Sequence, residues 1–234
     1  MNGLVPTVFI VDDSREVRGA LSRILAAAGY SVRAYESAER FIGDRDASTP
    51  GCLLLDLCLP GLSGLELQSE LQKLGCEWPI VFLTGMGDIQ IGVNAMKSGA
   101  VDFLTKPIDY VVLFAAVDNA LRRDALQRAA GAVKRAIRKR YDTLTPRERQ
   151  VMAQVIRGRL NKQIAADLGT GEKTVKVHRA RVMSKMEARS IAELVQLAGR
   201  VGIAIEPVLC KSSAAFNWLS PNPQGSLVGT ELEA

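Results

Sequence analysis

The chain has 234 residues, with 30 Lys+Arg against 25 Asp+Glu and a single His. That length suits one large domain or two small ones, and 47% hydrophobic with 24% charged residues excludes a mainly disordered chain. The longest uncharged apolar run falls far short of the roughly 18 residues that a membrane-spanning helix needs.

The opening MNGLVPTVFIVDDS has no basic leader and does not read as a signal peptide. Thr7–Val11 is an apolar, β-branched run that ends at Asp12 and Asp13, a buried-strand pattern. Ser14 is an N-cap for a helix carrying Val17, Leu21, Ile24, Leu25 and Ala28, and Gly29 ends it. Ser31–Tyr35 reads as a short strand, and Ser37 opens a short helix with Ala38, Phe41 and Ile42. Cys52–Leu55 is a second apolar run and ends at Asp56. A helix with Leu65, Leu67, Leu71 and Leu74 follows the loop LPGLSG. Pro79–Leu83 ends at Thr84, a helix over Asp88–Ser98 is closed by Gly99, and Val101–Leu104 leads to Thr105-Lys106-Pro107. Near-continuous apolar strands alternating with helices imply a parallel sheet covered on both faces.

Ile108 is read as the start of a further helix extending to Arg140. Its later part, RRDALQRAAGAVKRAIRKR, has too few apolar positions for a core and reads as a solvated linker. From Leu144 the pattern is helical throughout. The stretch from Glu206, with SPNPQGS, lacks periodicity and reads as disordered. Charge divides the chain in the same way. Residues 1–120 carry 9 Lys+Arg and 15 Asp+Glu, whereas residues 121–205 carry 20 and 7. A basic half joined to an acidic one points to a nucleic-acid module attached to something else. Four cysteines without CxxC spacing, beside one histidine, argue against a zinc site and a secreted disulfide framework, so a reducing, cytoplasmic setting is expected.

Ligands of parallel α/β sheets bind beyond the carboxyl ends of the strands. Here those ends carry Asp12 and Asp13, Asp56, Thr84 and Lys106. Clustered carboxylates repel one another unless a cation lies among them, and a few oxygen ligands suit Mg²⁺. A nearby lysine and hydroxyl can hold an anion, so the set looks built for a phosphoryl group.

VFIVDD, LLLDLCLPGLSGLEL, PIVFLTGMGD and AVDFLTKP together make residues 5–120 resemble the receiver domain of bacterial two-component response regulators. The resemblance implies a flavodoxin-like α/β fold with a five-stranded parallel sheet. It implies Asp56 as phosphoacceptor. Asp12, Asp13, Asp56 and the backbone carbonyl of Cys58 would hold Mg²⁺, Thr84 and Lys106 would bind phosphoryl oxygens, and Phe103 would be the switch aromatic beside Thr84. Relatives that lose the phosphoryl group quickly carry an amide or acid where this chain has Cys58 and Met86, which implies slow self-hydrolysis rather than turnover. Haloacid-dehalogenase phosphatases use a similar set but need an acid two residues after the nucleophile. Cys58 stands there and cannot do that work.

In the second half, Thr145-Pro146 with Glu148 forms a helix-start signature. Asn161 opens a helix with Ile164, Ala165 and Leu168. The turn Gly169–Gly171 leads into a second helix over Glu172–Met186, giving a helix-turn-helix. Val175, Val182 and Met186 share one face of that helix, and Lys173, Lys176, Val177, Ala180, Arg181 and Ser184 share another. LTPRE, NKQIA and TVKVHRARVMSKM make residues 142–200 similar to the LuxR/NarL-type DNA-binding domain, coupled to a receiver as in the FixJ group. The resemblance implies DNA contacts by Lys173, Thr174, Lys176, Val177, His178, Ala180 and Arg181. A last helix with Ile191, Leu194, Val195 and Ala198 either dimerises or closes the domain's own core.

The expected organisation is therefore a receiver (1–120), a linker helix (121–141), a small all-α helix-turn-helix domain (142–205) and a tail (206–234). The expected function is a transcription regulator controlled by phosphorylation. Its partners would be a sensor histidine kinase, promoter DNA, a second copy of itself once phosphorylated, and RNA polymerase. A receiver-like domain serving only as a fixed dimerisation module is the alternative. Intact Asp12, Asp13, Asp56, Thr84 and Lys106 speak against it.

Overall fold

The structure, a computed structural model, describes residues 5–85 and 99–203. The helix read over Asp88–Ser98, Met86 and the stretch from residue 206 lie outside the described residues. The chain divides into two units between Thr143 and Leu144.

In the first unit, β1 (Thr7–Val11), β2 (Ser31–Tyr35), β3 (Gly51–Asp56), β4 (Ile80–Thr84) and β5 (Asp102–Thr105) form one parallel sheet in the order β2-β1-β3-β4-β5. The last three strands each end one residue later than their apolar runs suggest. Hydropathy reports burial, whereas ladder pairing uses only the backbone. Asp56 pairs with Leu83 and Thr84 with Thr105, whatever their side chains.

Alternate side chains pack on opposite faces. Val8, Ile10, Cys52, Leu54, Val81 and Leu83 meet Leu21 and Leu25 of α1 (Arg15–Ala27) and Leu113, Val117 and Ala120 of α4 (Tyr110–Asp142). Phe9, Val11, Leu53, Leu55 and Phe82 meet Phe41 of α2 (Ala38–Asp44) and Leu67 and Leu71 of α3 (Gly64–Lys73). Ser14, Ser37 and Ser63 cap these first three helices, and Glu66 completes a capping box on α3. Gly64 is required by close approach. A Cβ there would lie 2.4 Å from the carbonyl oxygen of Asp56, so glycine alone lets α3 begin against the end of β3.

The helix read from Ile108 starts instead at Tyr110. Asp109 is its N-cap, accepting from the Val111 amide at 2.8 Å, and the Lys106–Pro107 peptide before it is cis. It runs unbroken for 33 residues, so nothing in the helix marks the boundary at 120/121. Its later part is not wholly solvated either. Asp124 and Ile137 are buried. The Asp124 carboxylate accepts from the Gly51 amide at 2.9 Å and from Arg128 Nε at 2.8 Å. The Arg128 guanidinium also donates to the carbonyls of Ala47, Ser48 and Thr49. Counting apolar positions missed this attachment because it is made of charge and hydrogen bonds.

The second unit contains α5 (Pro146–Ile156), α6 (Asn161–Asp167), α7 (Glu172–Lys185) and α8 (Ile191–Arg200). Here α7 packs on α5 and α6, and α8 packs on α5. Val151, Met152, Val155, Ile164, Val175, Val182, Met186, Leu194 and Ala198 are buried. The turn into α7 passes through Gly169 at φ +61, a left-handed position that favours glycine. The α7 helix ends at Lys185, with the predicted last residue, Met186, acting as its C-cap.

Replacing Asp124 with Ala should leave the Gly51 amide and the Arg128 guanidinium without their carboxylate. The expected loss is about 2 kcal/mol of stability, read as a lower urea midpoint for the full-length protein. An unchanged midpoint would mean that water substitutes for the carboxylate.

Candidate functional site

The strand order changes direction between β1 and β3, and the chemistry-bearing residues gather at that edge. Asp12 and Asp56 are buried and Asp13 is exposed, with carboxylate oxygens of all three within 4.8 Å of one another. Lys106 Nζ reaches across from the end of β5 and lies 2.7 Å from both Asp12 Oδ2 and Asp56 Oδ2. The Ser14 amide donates to Asp12 Oδ1 at 2.9 Å, and the Cys58 amide to Asp56 Oδ1 at 3.1 Å. Arg18, which the sequence reading passed over, donates to the backbone carbonyls of Asp12 and Asp13 at 2.7 and 2.8 Å and so holds the loop that carries them. No local motif marks Arg18. Its spacing of one to two helical turns after the acidic pair is the only available signal.

Burial pushes the Asp12 carboxyl above its ordinary value, and Lys106 only partly offsets this. Desolvation pulls the Lys106 ammonium down, but its bonds and attraction to Asp12 and Asp56 together outweigh that pull and leave it raised. One ammonium stands against three carboxylates in this cluster. The donor set is three carboxylates and nearby carbonyls, and it fits a hard divalent cation such as Mg²⁺.

Thr84 ends β4 one position beyond Leu83, the ladder partner of Asp56. It is buried, and its hydroxyl donates to the Gly85 carbonyl at 3.2 Å. Phe103 pairs in register with Phe82 and packs, half-buried, against the cluster that contains Phe9 and Leu55. Cys58 is exposed. The structure thus brings Asp12, Asp13, Asp56 and Lys106 into one cluster and stations Thr84 and Phe103 on the neighbouring strands.

In the second unit, α7 presents Lys173, Thr174, Lys176, Val177, Ala180, Arg181 and Ser184 as an exposed face, and buries Val175 and Val182 on the opposite side. Val177 is 45% exposed among cations, an open apolar contact in a basic setting. His178 is set apart from that face. It is half-buried beside the core stripe, and its Nδ1 is buried without a hydrogen-bond partner among the described residues. Lys176 lies 3.7 Å from Glu172, an exposed pair of little energetic weight.

The orientation of α7 depends on residues remote in sequence. Arg179 donates to Asn161 Oδ1 at 2.9 Å, and Arg147 ties α5 to the end of α6, on which α7 packs, through the Leu168 carbonyl at 2.6 Å. Glu148, read only as a capping-box partner, is also buried and accepts from Lys185 Nζ at 2.7 Å. That bond holds the Glu148 carboxyl below its usual range. On α8, Leu194 and Ala198 are buried while Ile191 is exposed and Val195 half-buried, so the helix serves the core and keeps an apolar edge open. Among the described residues, no helix is long and apolar enough to cross a membrane.

Comparison with known proteins gives two family matches. Residues 8–118 match "Response regulator receiver domain", and residues 142–198 match "Bacterial regulatory proteins, luxR family". Nodulation protein W of Bradyrhizobium diazoefficiens is 44% identical over 197 residues, covering 84% of this chain and 87% of that protein. Response regulator protein TodT of Pseudomonas putida is 41% identical over 206 residues, 88% of this chain and 91% of its own. Among solved structures, the response regulator StyR is similar with a TM-score of 0.74 and 43% identity, covering 84% of this chain and 99% of that one. Full-length FixJ from B. japonicum has a TM-score of 0.53 and 38% identity, covering 85% and 98%.

Because Lys185 lowers the Glu148 carboxyl in the folded protein, the pair's stabilisation is fully present above the ordinary value of 4.5 and is lost as pH falls through the depressed folded value. Thermal melts of the wild type should therefore lose stability on acidification below that value. Glu148→Gln should be less stable at neutral pH and lose less on acidification. Parallel profiles for the two proteins would contradict the pairing.

Proposed function

The chain belongs to the response regulators of two-component systems, joining a receiver domain to a LuxR-type DNA-binding domain, and from that premise we propose that Asp56 is the phosphoacceptor whose modification controls promoter binding. The protein is a DNA-binding transcription regulator. One observation carries the assignment of Asp56: it lies buried at the switch-point edge, bridged by Lys106 to Asp12 and close to Asp13.

An Asp56 carboxylate oxygen attacks the phosphorus of a phosphohistidine on a sensor kinase. The P–N bond breaks, its electron pair returns to the imidazole, and the acyl phosphate forms. The only imidazole of this chain, His178, belongs to the other unit, so the donor is another protein or a small phosphoryl compound. Asp12, Asp13, Asp56 and the Cys58 carbonyl would hold Mg²⁺, which would offset the charge of carboxylates and phosphoryl oxygens. Lys106 exchanges its carboxylate contact for a phosphoryl oxygen, and the Thr84 hydroxyl moves to bond another. Phe103, already half-buried, turns inward to fill the space that Thr84 leaves.

The altered surface favours a dimer, and doubled contacts raise affinity for paired half-sites. In each copy α7 enters the major groove. Lys173, Lys176 and Arg181 meet phosphates or guanine edges, Val177 meets a thymine methyl, and Thr174, His178 and Ala180 line the same helix. The open edge of α8 at Ile191 and Val195 is available for pairing. Functionally, residues 1–120 receive, 121–141 link and 142–205 read DNA, in the cytoplasm, where RNA polymerase is the further partner.

Phosphorylation with a labelled small donor and Mg²⁺ tests the site. Asp56→Asn should abolish labelling, and label persisting elsewhere would overturn the assignment. Phosphorylation should also tighten DNA binding, whereas equal affinity with and without donor would favour a fixed dimerisation module. A second measurement concerns lifetime. Cys58 offers only a weak acceptor for an attacking water, so the acyl phosphate should decay slowly. Cys58→Asn should speed the decay on the order of tenfold, and an unaltered rate would remove Cys58 from the explanation.

A further inference from the structure

The later part of α4 carries a strongly segregated charge pattern that the phosphorylation site does not use. Lys134, Arg135, Arg138 and Lys139 follow the spacing i, i+1, i+4, i+5 and share one helix face. All four are exposed. No carboxylate occurs between Asp124 and Asp142. Among the described residues, Lys134, Arg135 and Lys139 form no ion pair. Arg138 alone has a partner, the exposed Asp142 at 3.3 Å, and its guanidinium lies 5.5 Å from the centre of the Tyr141 ring. The pairs Lys134/Arg138 and Arg135/Lys139 are like charges one turn apart, which weakens a helix that has no outside partner. Arg128, by contrast, is fully engaged with Asp124 and three carbonyls. The basic face follows that attachment in the chain, and Arg135 also lines a cleft with Glu77.

We propose that this face is a second, sequence-independent DNA-contact surface, which grips phosphates flanking the site read by α7. The inference rests on the reading of the second unit as the DNA-binding unit and extends the contact beyond it. Three observations favour duplex DNA. First, the face is purely cationic, which complements a polyanion, and it offers no carboxylate or amide acceptor toward a base edge. Second, chain continuity holds it close. Lys139 lies six residues before Thr145, the cap of α5, and six residues span at most roughly 20 Å. A tether that short keeps the basic face at high local concentration near any DNA that α7 holds. Third, the opposite face does not suit a lipid surface. It is mainly alanine, with Leu126 and Val133 its large exposed apolar members, Arg140 half-buried and Ile137 already buried.

The test uses the full-length protein and the quadruple variant K134Q/R135Q/R138Q/K139Q, since glutamine keeps helix propensity while removing charge. A site selected in vitro with the wild type is presented in two duplexes, one just covering the α7 footprint and one extended by a helical turn on each side. The wild type should bind the extended duplex about tenfold more tightly, and the variant should gain little from the extension. The slope of log affinity against log salt should become shallower by roughly 0.9 for each phosphate that the variant no longer neutralises. Base preference and the rate of Asp56 phosphorylation should be unchanged. Lys176→Ala provides the contrast, because it should weaken binding to both duplexes and keep the benefit of extension. Equal salt slopes and equal flank dependence in wild type and quadruple variant would overturn the inference while leaving α7 as the reading helix. Binding of the wild type to anionic vesicles, abolished in the quadruple variant and without any flank effect, would overturn it in favour of a lipid surface. Failure of the wild type to select any DNA would overturn the DNA-binding reading itself, and this inference with it.

Discussion

At the end of β5 one ammonium group, Lys106 Nζ, stands 2.7 Å from two buried carboxylates that come from β1 and β3. Two like charges packed this closely away from water repel strongly, and a missing partner would be costly. Much of the local architecture answers that cost. The Ser14 and Cys58 amides donate to the two acids, Arg18 holds the carbonyls of the loop, and Gly64 lets α3 start close enough to close the β3 end. One ammonium still stands among three carboxylates, and burial keeps the Asp12 carboxyl above its ordinary value. A site left short of positive charge attracts a divalent cation.

Two further buried acids organise the rest of the chain by the same logic. Asp124 joins the long helix to the start of β3 through Gly51 and Arg128, at the sheet edge opposite the carboxylate cluster. Glu148 joins the first helix of the second unit to the last turn of α7 through Lys185. Each acid satisfies a backbone amide as well as a cation, the arrangement that makes a buried charge tolerable. The consequence is directional. The first turns of α4 belong to the receiver, and its cationic later turns are left with no acid of their own before Asp142. The angle of α7 is fixed by side chains on α5 and α6, which leaves its exposed face free of structural duties.

The relatives share both domains over most of their length, so the division of labour between a receiver and a DNA reader is a property of the family. Cys58, two residues after Asp56, and the four clustered cations of α4 are exposed side chains that the core does not use.

Local physics made much of this protein legible from its residues alone. Apolar runs ending in Asp12, Asp56 and Thr84 mark buried strands and their functional ends. Ser14, Ser37 and Thr145 mark helix starts through hydrogen bonds to amides only three residues away. The face of α7 follows from a 3.6-residue period. Where the reading missed, the deciding partner was distant or the cap unrecognised. The helix start moved from Ile108 to Tyr110 because the Asp109 side chain could cap it. Asp124 and Arg128 lie 73 to 81 residues from the backbone groups they hold, and Glu148 lies 37 residues from Lys185. The set of side chains at the sheet edge was thus a matter of sequence, set by composition at strand ends. Which of them touch was a matter of tertiary structure, because a 2.7 Å bond between Lys106 and Asp12 exists only once β1, β3, β4 and β5 are laid side by side.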